Sequence, residues 1–243
     1  MQMLERKLWF FFLVTLLVNC AVWSVTRERQ AQWLNVPPVP SPMTVSVSAL
    51  GDQQFAYRSL SVMLQNLGDM GGRVTPLKDY NFERLAQWFF LMRDLDPRSD
   101  YIPYIASYYF GAVNGDDVGD KLRPLVDYLY QEGNSAEGTK WRWLAHAVYL
   151  ARFKVKDLDY AYKMALDLAR LGYEKDLPHW TRQMPVFILN AKGDKETALS
   201  LMMGILSSVG DKIHPSEVNF TRGYICEQIL TPDQAQTNPL CQD

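Results

Sequence analysis

The sequence predicts an all-α protein in which a single N-terminal transmembrane helix is followed by an α-hairpin solenoid. Three observations lead to this fold class. An uncharged, strongly apolar run stands near the N-terminus. From residue 52 onward, apolar residues recur at intervals of three or four and hardly ever alternate with polar ones, which is typical of helices. Segments that are apolar all round alternate with segments that are apolar on one side, as stacked helix pairs require.

The length and the charge of the chain limit the classes of protein it can belong to. Its 243 residues suffice for one membrane segment and one domain of about 200 residues. The net charge is −2, with 25 basic and 27 acidic side chains. A nucleic-acid-binding domain carries a clear excess of positive charge. We therefore expect no nucleic-acid partner.

Residues 1–30 are predicted to form a transmembrane anchor with charged flanks. The segment from Leu8 to Val25 contains 18 residues and no charge. As a helix it would be about 27 Å long, close to the roughly 30 Å of a bilayer's hydrocarbon core. Trp9 and Trp23 stand near its two ends, where indole rings favour the membrane interface. We expect this segment to lie in the lipid bilayer.

Two other interpretations of the N-terminal segment remain open. A cleaved signal peptide would need small residues at its cleavage site, and Val22, Trp23 and Val25 are poor candidates. A lipid-modified Cys20 would need a small residue directly before it, where this chain has Asn19. An uncleaved anchor fits the sequence better than either.

The orientation of the anchor is inferred from its short leader and from the cysteines. Two Lys or Arg residues lie on each flank, so the positive-inside rule does not decide. Cys226 and Cys241 could close a disulfide, which persists only in an oxidising compartment, or they could be two unrelated reduced thiols. We expect an inner (cytoplasmic) membrane protein of a bacterium, with its soluble domain in the periplasm.

Residues 31–51 are predicted to be a proline-rich linker. Four prolines fall between residues 37 and 42 and favour polyproline II, a semi-rigid spacer. Such a spacer would hold the domain away from the membrane. A proline motif that binds a partner is the alternative.

Residues 52–230 are predicted to form the helical domain, and residues 231–243 its C-terminal tail. One-faced helices are expected near residues 52–68, 79–96, 157–172 and 194–210, and helices that are apolar all round near 100–113 and 141–153. Pro97 ends one helix, and Gly172 is a candidate C-cap for another. Pro185 requires a helix that begins near Met184 or one that is kinked.

Three segments resemble tetratricopeptide repeats (TPR), a family of helical hairpins with a period near 34 residues. The first has Gly193-Asp194 where the family has its inter-helix turn, Ala198 at the helix crossing, and Met202 and Ile205 at the following apolar positions. The second has Asp157, Ala161, Ala165 and Leu168 in the same frame, and the third has Leu85, Phe89 and Met92 before Pro97. The resemblance implies about four hairpins over residues 75–210 and a protein-binding function.

The sequence contains no pattern that predicts chemistry. His146, His179 and His214 are not paired with other ligands at metal-binding spacing. There is no glycine-rich phosphate loop and no nucleophile beside a base. We therefore predict no catalytic residues, no metal and no cofactor, and a protein that is not an enzyme.

The predicted site is a groove for a partner protein. In the repeat frame, the positions of the first helices that face the groove are Ile102, Ala106, Tyr109, Trp143, His146, Leu150 and Phe153. Tyr and Trp are common anchors at protein interfaces. The expected function is a scaffold or accessory subunit that binds other membrane or periplasmic proteins. A transient assembly or quality-control factor and an enzyme that acts on the cell envelope are the alternatives.

Overall fold

The computed structural model describes residues 2–27, 36–70, 73–115, 118–135, 139–209 and 214–242. It divides the chain into two units, Met1–Leu34 and Asn35–Asp243. The regular structure of the described residues is helical, apart from a short antiparallel ladder between β1 (Asp69–Met70) and β2 (Arg73–Val74). The all-α prediction is confirmed at this level.

The first unit contains one long helix, α1 (Gln2–Thr26). Its segment Arg6–Thr26 is long and apolar enough to cross a membrane, and it is the one such helix in the described part of the chain. The hydroxyl groups of Thr15, Ser24 and Thr26 donate to backbone carbonyls of the preceding turn. Each hydroxyl group thus has a hydrogen-bond acceptor within the helix, which a hydrocarbon environment requires because it offers none.

The second unit begins with residues that the sequence assigned to a spacer. Residues 42–48 form a helix, α2 (Pro42–Ser48), which Ser41 caps by accepting a hydrogen bond from the Thr44 N–H. The side chains of Val36, Val45 and Ala49 are buried in the core of the domain. The prediction of a free spacer is therefore wrong for residues 36–51. Residues 31–35 of the predicted linker lie outside the described residues.

Hydrogen bonds fix this segment to the domain. The Trp88 Nε1–H donates to the Pro37 carbonyl at 2.8 Å, and the Arg84 guanidinium donates to the Val36 carbonyl at 2.9 Å. An extended, proline-rich backbone forms no internal hydrogen bonds, so its carbonyls are free to accept from side chains. The same prolines that suggested a spacer thus supply acceptors for a neighbouring helix.

Within the described residues, ten further helices follow: α3 (Gln53–Gln65), α4 (Phe82–Leu95), α5 (Tyr101–Tyr104), α6 (Arg123–Gly133), α7 (Trp141–Leu150), α8 (Leu158–Glu174), α9 (Trp180–Lys192), α10 (Lys195–Val209), α11 (Pro215–Tyr224) and α12 (Pro232–Thr237). Helices α5, α7 and α11 continue into π-helical turns at Ile105–Tyr109, Ala151–Val155 and Ile225–Ile229. Short 3₁₀ turns occur at Leu77–Asp79, Phe110–Ala112, Asp120–Leu122 and Pro239–Cys241. Helix α3 packs on α4 and α4 on α6, and from α6 to α10 each helix packs on the next.

Local sequence signals set several helix ends. Asp52, Asn81 and Asp157 each accept backbone N–H groups at the start of a helix. Helix α4 ends at Leu95, two residues before the proline predicted to stop it. At the end of α9, Gly193 adopts a left-handed conformation with φ of 85°, which favours glycine.

One predicted helix end needs correction, and one of the two alternatives for Pro185, a helix that begins near Met184, is wrong. Helix α8 continues through Gly172 to Glu174, so Gly172 is not its C-cap. Helix α9 begins at Trp180, five residues before Pro185, and contains this proline.

The core consists of two clusters of buried apolar side chains. The larger one joins residues 36–49 to helices α3 to α9. The smaller one joins α9 and α10 to the turn after α11, through residues that include Val186, Met202 and Ile229. The apolar residues behind the repeat resemblance lie in these clusters, with Leu85, Phe89, Met92, Ala161, Ala165, Leu168, Ala198 and Met202 all buried.

Candidate binding site

A cavity of about 700 Å³ opens on the surface between the π-helical turn after α5, helix α7 and helix α9. Aromatic rings form much of its wall. The residues with rings that line it are Tyr108, Trp141, His146, Tyr149 and Trp180. Leu150 and Met184 add aliphatic surface. This cavity defines the candidate site.

The π-helical turn explains why tyrosines point outward here. Ile102, Ile105, Ala106 and Phe110 are buried on the inner side of the segment. A π-turn contains one residue more than an α-helical turn, which shifts the face that the following residues present. Tyr108 and Tyr109, within this turn, are exposed, as is Tyr104 at the end of the preceding helix.

The rings around the cavity contact one another and extend beyond it. Tyr104 and Tyr108 have centroids 5.0 Å apart, and Tyr149 and Phe153 have centroids 4.9 Å apart. The ring centroids of Trp141 and Trp180 are 5.7 Å apart. We call the set Tyr104, Tyr108, Trp141, His146, Tyr149, Phe153 and Trp180 the aromatic face. Apart from Trp141 and His146, which are partly buried, its members are exposed.

His146 is the polar centre of the aromatic face. A hydrogen bond of 2.8 Å joins its Nε2 to the Tyr108 hydroxyl, and the two rings meet edge to face at 4.7 Å. Burial lowers the pKa of His146 below its usual value of 6.5, because desolvation disfavours the imidazolium. The imidazole is therefore neutral at pH 7 and acts as a hydrogen-bonding group.

The charged side chains that line the cavity are both cationic. The Arg142 guanidinium lies 5.6 Å from the centroid of the Trp141 ring. The Lys154 ammonium donates to two neutral oxygens, the Asn114 amide oxygen and the Val113 carbonyl. Within the described residues, no carboxylate forms an ion pair with Arg142 or Lys154, and no acidic residue lines the cavity. The cavity thus has a positive rim.

A buried polar cluster lies at the start of α7. The Lys140 ammonium donates to the Glu132 carboxylate and to the Ser99 carbonyl, and both charged side chains are almost completely buried. The Trp143 Nε1–H donates to the Asp100 carboxylate at 2.7 Å. These bonds hold the Trp143 ring inside the domain.

The predicted groove is wrong for three of its residues. Ile102 is 1% exposed, Ala106 is 0% exposed and Trp143 is 8% exposed, and all three belong to the core. The repeat frame assumes a regular helix, whereas Ala106 lies in a π-helical turn and the Asp100 bond turns Trp143 inward. Ile102 lies in α5, before that turn, and packs in the core.

The other groove residues lie at or near the cavity. His146 and Leu150 line it. Tyr109 and Phe153 are exposed beside it without lining it. The prediction missed Tyr108, Trp141, Tyr149 and Trp180, although the aromatic richness of the two segments 101–109 and 141–153 could have indicated all but the last.

The remaining predicted positions are placed as follows. The anchor residues Leu8, Trp9, Trp23 and Val25 are all exposed on α1. Cys226 and Cys241 form a disulfide with a Cα–Cα distance of 5.8 Å, which ties the last 3₁₀ turn to the π-helical turn after α11. No group of His, Cys, Asp and Glu side chains that could hold a metal ion occurs in the described part of the chain.

Comparison with known proteins adds no family to this description. No family model, no curated protein and no solved structure matches the chain. The argument for function therefore rests on the fold and on the aromatic face.

Proposed function

We propose that this protein is a single-pass membrane protein that holds other proteins of a membrane complex through its aromatic face. The observation that carries the proposal is the exposure of contacting Tyr, Trp and Phe rings around one cavity. Tyr and Trp dominate the binding energy of many interfaces because they bury a large area at little cost in side-chain entropy.

The anchor and the compartment complete the proposal. Helix α1 crosses the inner membrane, and the helical domain lies in the periplasm. Two observations support this topology: the length and apolar character of Arg6–Thr26, and the Cys226–Cys241 disulfide. Such a bond persists in an oxidising compartment and is rare in the cytosol.

A TPR-like α-hairpin solenoid is the arrangement we propose for the domain. The packing of each helix from α6 to α10 on the next supports it, as does the burial of Ala161 and Ala198 at the positions that resemble helix crossings. In such an array the helices with rings on their outer side form one continuous binding surface.

Co-purification from membranes tests the proposed function. The full-length protein is extracted with a mild detergent, and bound proteins are quantified for the wild type and for Tyr149→Ala combined with Trp180→Ala. We expect the amount of partner recovered with the double variant to be at least about tenfold lower than with the wild type, because two anchor rings are removed. The matched control is Leu166→Ala, because Leu166 is an exposed apolar residue of α8 outside the aromatic face.

Each outcome of this experiment decides something. Unchanged partner recovery in a folded double variant would refute the aromatic face as the binding surface. Stoichiometric recovery supports an accessory subunit, whereas substoichiometric recovery supports the alternative of a transient assembly factor.

A further inference from the structure

We propose that the cavity in the aromatic face is a binding site for a small organic anion with a flat, apolar body, of the class of aryl carboxylates. The cavity shares its ring residues with the aromatic face, so the ligand would bind within the surface proposed for a partner protein. Its volume, its ring walls and its charge together point to this class of ligand.

The size of the cavity matches a small molecule. Its volume of about 700 Å³ lies within the range of roughly 300 to 1,000 Å³ that is typical of ligand sites. Three elements of the fold, the π-helical turn after α5, α7 and α9, supply its walls. Such a pocket surrounds a ligand on several sides.

The walls favour a planar apolar group. Tyr108, Trp141, Tyr149 and Trp180 present rings to the cavity, and its surface is mainly apolar. Aromatic rings gain from offset-stacked and edge-to-face contacts with another ring, beyond the area they bury. A flat hydrocarbon body can form such contacts with several walls at once.

The charges at the rim select an anion. Arg142 and Lys154 line the cavity, and no carboxylate of the described residues pairs with either. The whole chain carries a net charge of −2, so the charge of this site is opposite in sign to the net charge of the protein. The two cations are twelve residues apart along α7 and the π-helical turn that follows it, a rise of about 18 Å, so a ligand carboxylate would pair with one of them. Such a charge-assisted hydrogen bond is about twice as strong as a neutral one.

The polar groups of the wall are too few for an extended peptide. Apart from the two cations, the polar groups that line the cavity belong to Ser107, Tyr108, His146 and Tyr149 and to the indoles of Trp141 and Trp180. Tyr108 and His146 already bond to each other. An extended peptide would bring a backbone N–H and C=O for each residue and lose their water without gaining partners. An aryl carboxylate brings one charged group and leaves no polar group unsatisfied.

A set of three probes of the same shape tests the proposal. The full-length protein is reconstituted in nanodiscs of neutral phosphatidylcholine and titrated with 2-naphthoate, 2-naphthamide and 2-naphthylmethylammonium, with naphthalene fluorescence anisotropy as the readout. We expect saturable binding of 2-naphthoate to one site, affinity at least about tenfold lower for the amide, and lower still for the ammonium.

Variants locate the bound probe. We expect Arg142→Met to weaken 2-naphthoate binding about tenfold. Because Lys154 also bonds to the Val113 carbonyl, Arg142→Met is the variant that tests charge without touching the fold. Ala112→Trp, at an exposed position of the lining, should fill the cavity and abolish binding. Lys195→Met, at an exposed cation of α10, is the control and should bind normally.

The outcomes are decisive. Equal binding of the three probes, or 2-naphthoate binding that survives both Arg142→Met and Ala112→Trp, would overturn the proposal. So would the absence of saturable 2-naphthoate binding to the folded wild type. The titration requires no partner protein, so its failure and the failure of the proposed function are distinguishable.

Discussion

The two sides of helix α7 differ in how their polar groups are satisfied. On the inner side, Lys140 precedes the helix and pairs with Glu132, and Trp143 donates to Asp100. Lys140, Glu132 and Trp143 are buried, and each forms at least one hydrogen bond within the domain.

On the outer side, the same helix presents Arg142, His146 and Tyr149 to the cavity. Arg142 forms no ion pair with any described carboxylate, and Tyr149 is exposed. One helix of 10 residues thus carries a side that stabilises the fold and a side that is available for binding. Changes on the inner side should affect stability, and changes on the outer side should affect binding.

The largest loss of stability is expected for Lys140→Met. This change leaves the buried Glu132 carboxylate without its cation, which costs about 3–5 kcal/mol for a buried pair. The free energy of unfolding of the full-length protein in detergent, measured with urea, checks the value. Replacing both partners, as Lys140→Met with Glu132→Leu, should recover most of the loss. If the single and double variants were equally unstable, the buried pair would not be the cause.

Breaking the disulfide should have the next largest effect. In the chain-entropy model, a bond that closes a loop of 15 residues contributes about 3 kcal/mol. We expect Cys226→Ser to increase hydrogen exchange in the smaller core cluster, around Met202 and Ile229, and to leave the larger cluster protected. Dithiothreitol should have the same effect on the wild type and none on the variant.

A third prediction concerns the close contact of α6 with α7. A Cβ atom at Gly133 would lie 2.2 Å from the Leu144 backbone nitrogen, so Gly133→Ala forces the two helices apart. Overpacking of this kind costs about 1–3 kcal/mol. Gly204→Ala in α10 is the matched control, since nothing lies within 4 Å of its added Cβ and alanine favours the helix by about 0.5–1 kcal/mol. The midpoint temperature of thermal unfolding should decrease for Gly133→Ala and increase for Gly204→Ala.

The smallest effect is expected on the outer side, at His146. Burial lowers its pKa in the folded protein, so the unfolded chain binds the proton first as the pH falls. The free energy of unfolding of the wild type should therefore decrease relative to that of His146→Phe as the pH drops below about 6.5. Above this pH, the difference between the two free energies should stay constant. An NMR titration that gave His146 a pKa above 6.5 would contradict this.

Regular periodicity made much of the inner side predictable. Leu85, Phe89 and Met92 recur at helical spacing, and all are buried. The turn at Gly193-Asp194 follows from local chemistry, because glycine readily adopts the left-handed conformation that ends α9. The apolar segment before residue 27 is evident from composition alone.

The outer side was less predictable because it depends on tertiary structure. The π-helical turn at Ile105–Tyr109 adds one residue to a turn, and no periodic pattern indicates where this occurs. The inward turn of Trp143 depends on Asp100, 43 positions away in sequence. Trp180 joins the cavity only because α9 starts before its proline and packs beside α7's aromatic end, where Trp141 lies.

Site-specific photo-crosslinking in intact membranes tests the central claim most directly. The photoreactive residue p-benzoylphenylalanine is placed at Tyr149 in the aromatic face or at Leu166 on α8, which are about equally exposed. The account predicts that position 149 captures a defined partner protein, that position 166 does not, and that Trp180→Ala weakens the capture. Equal capture at both positions, or capture at position 166 alone, would contradict a binding function of the aromatic face.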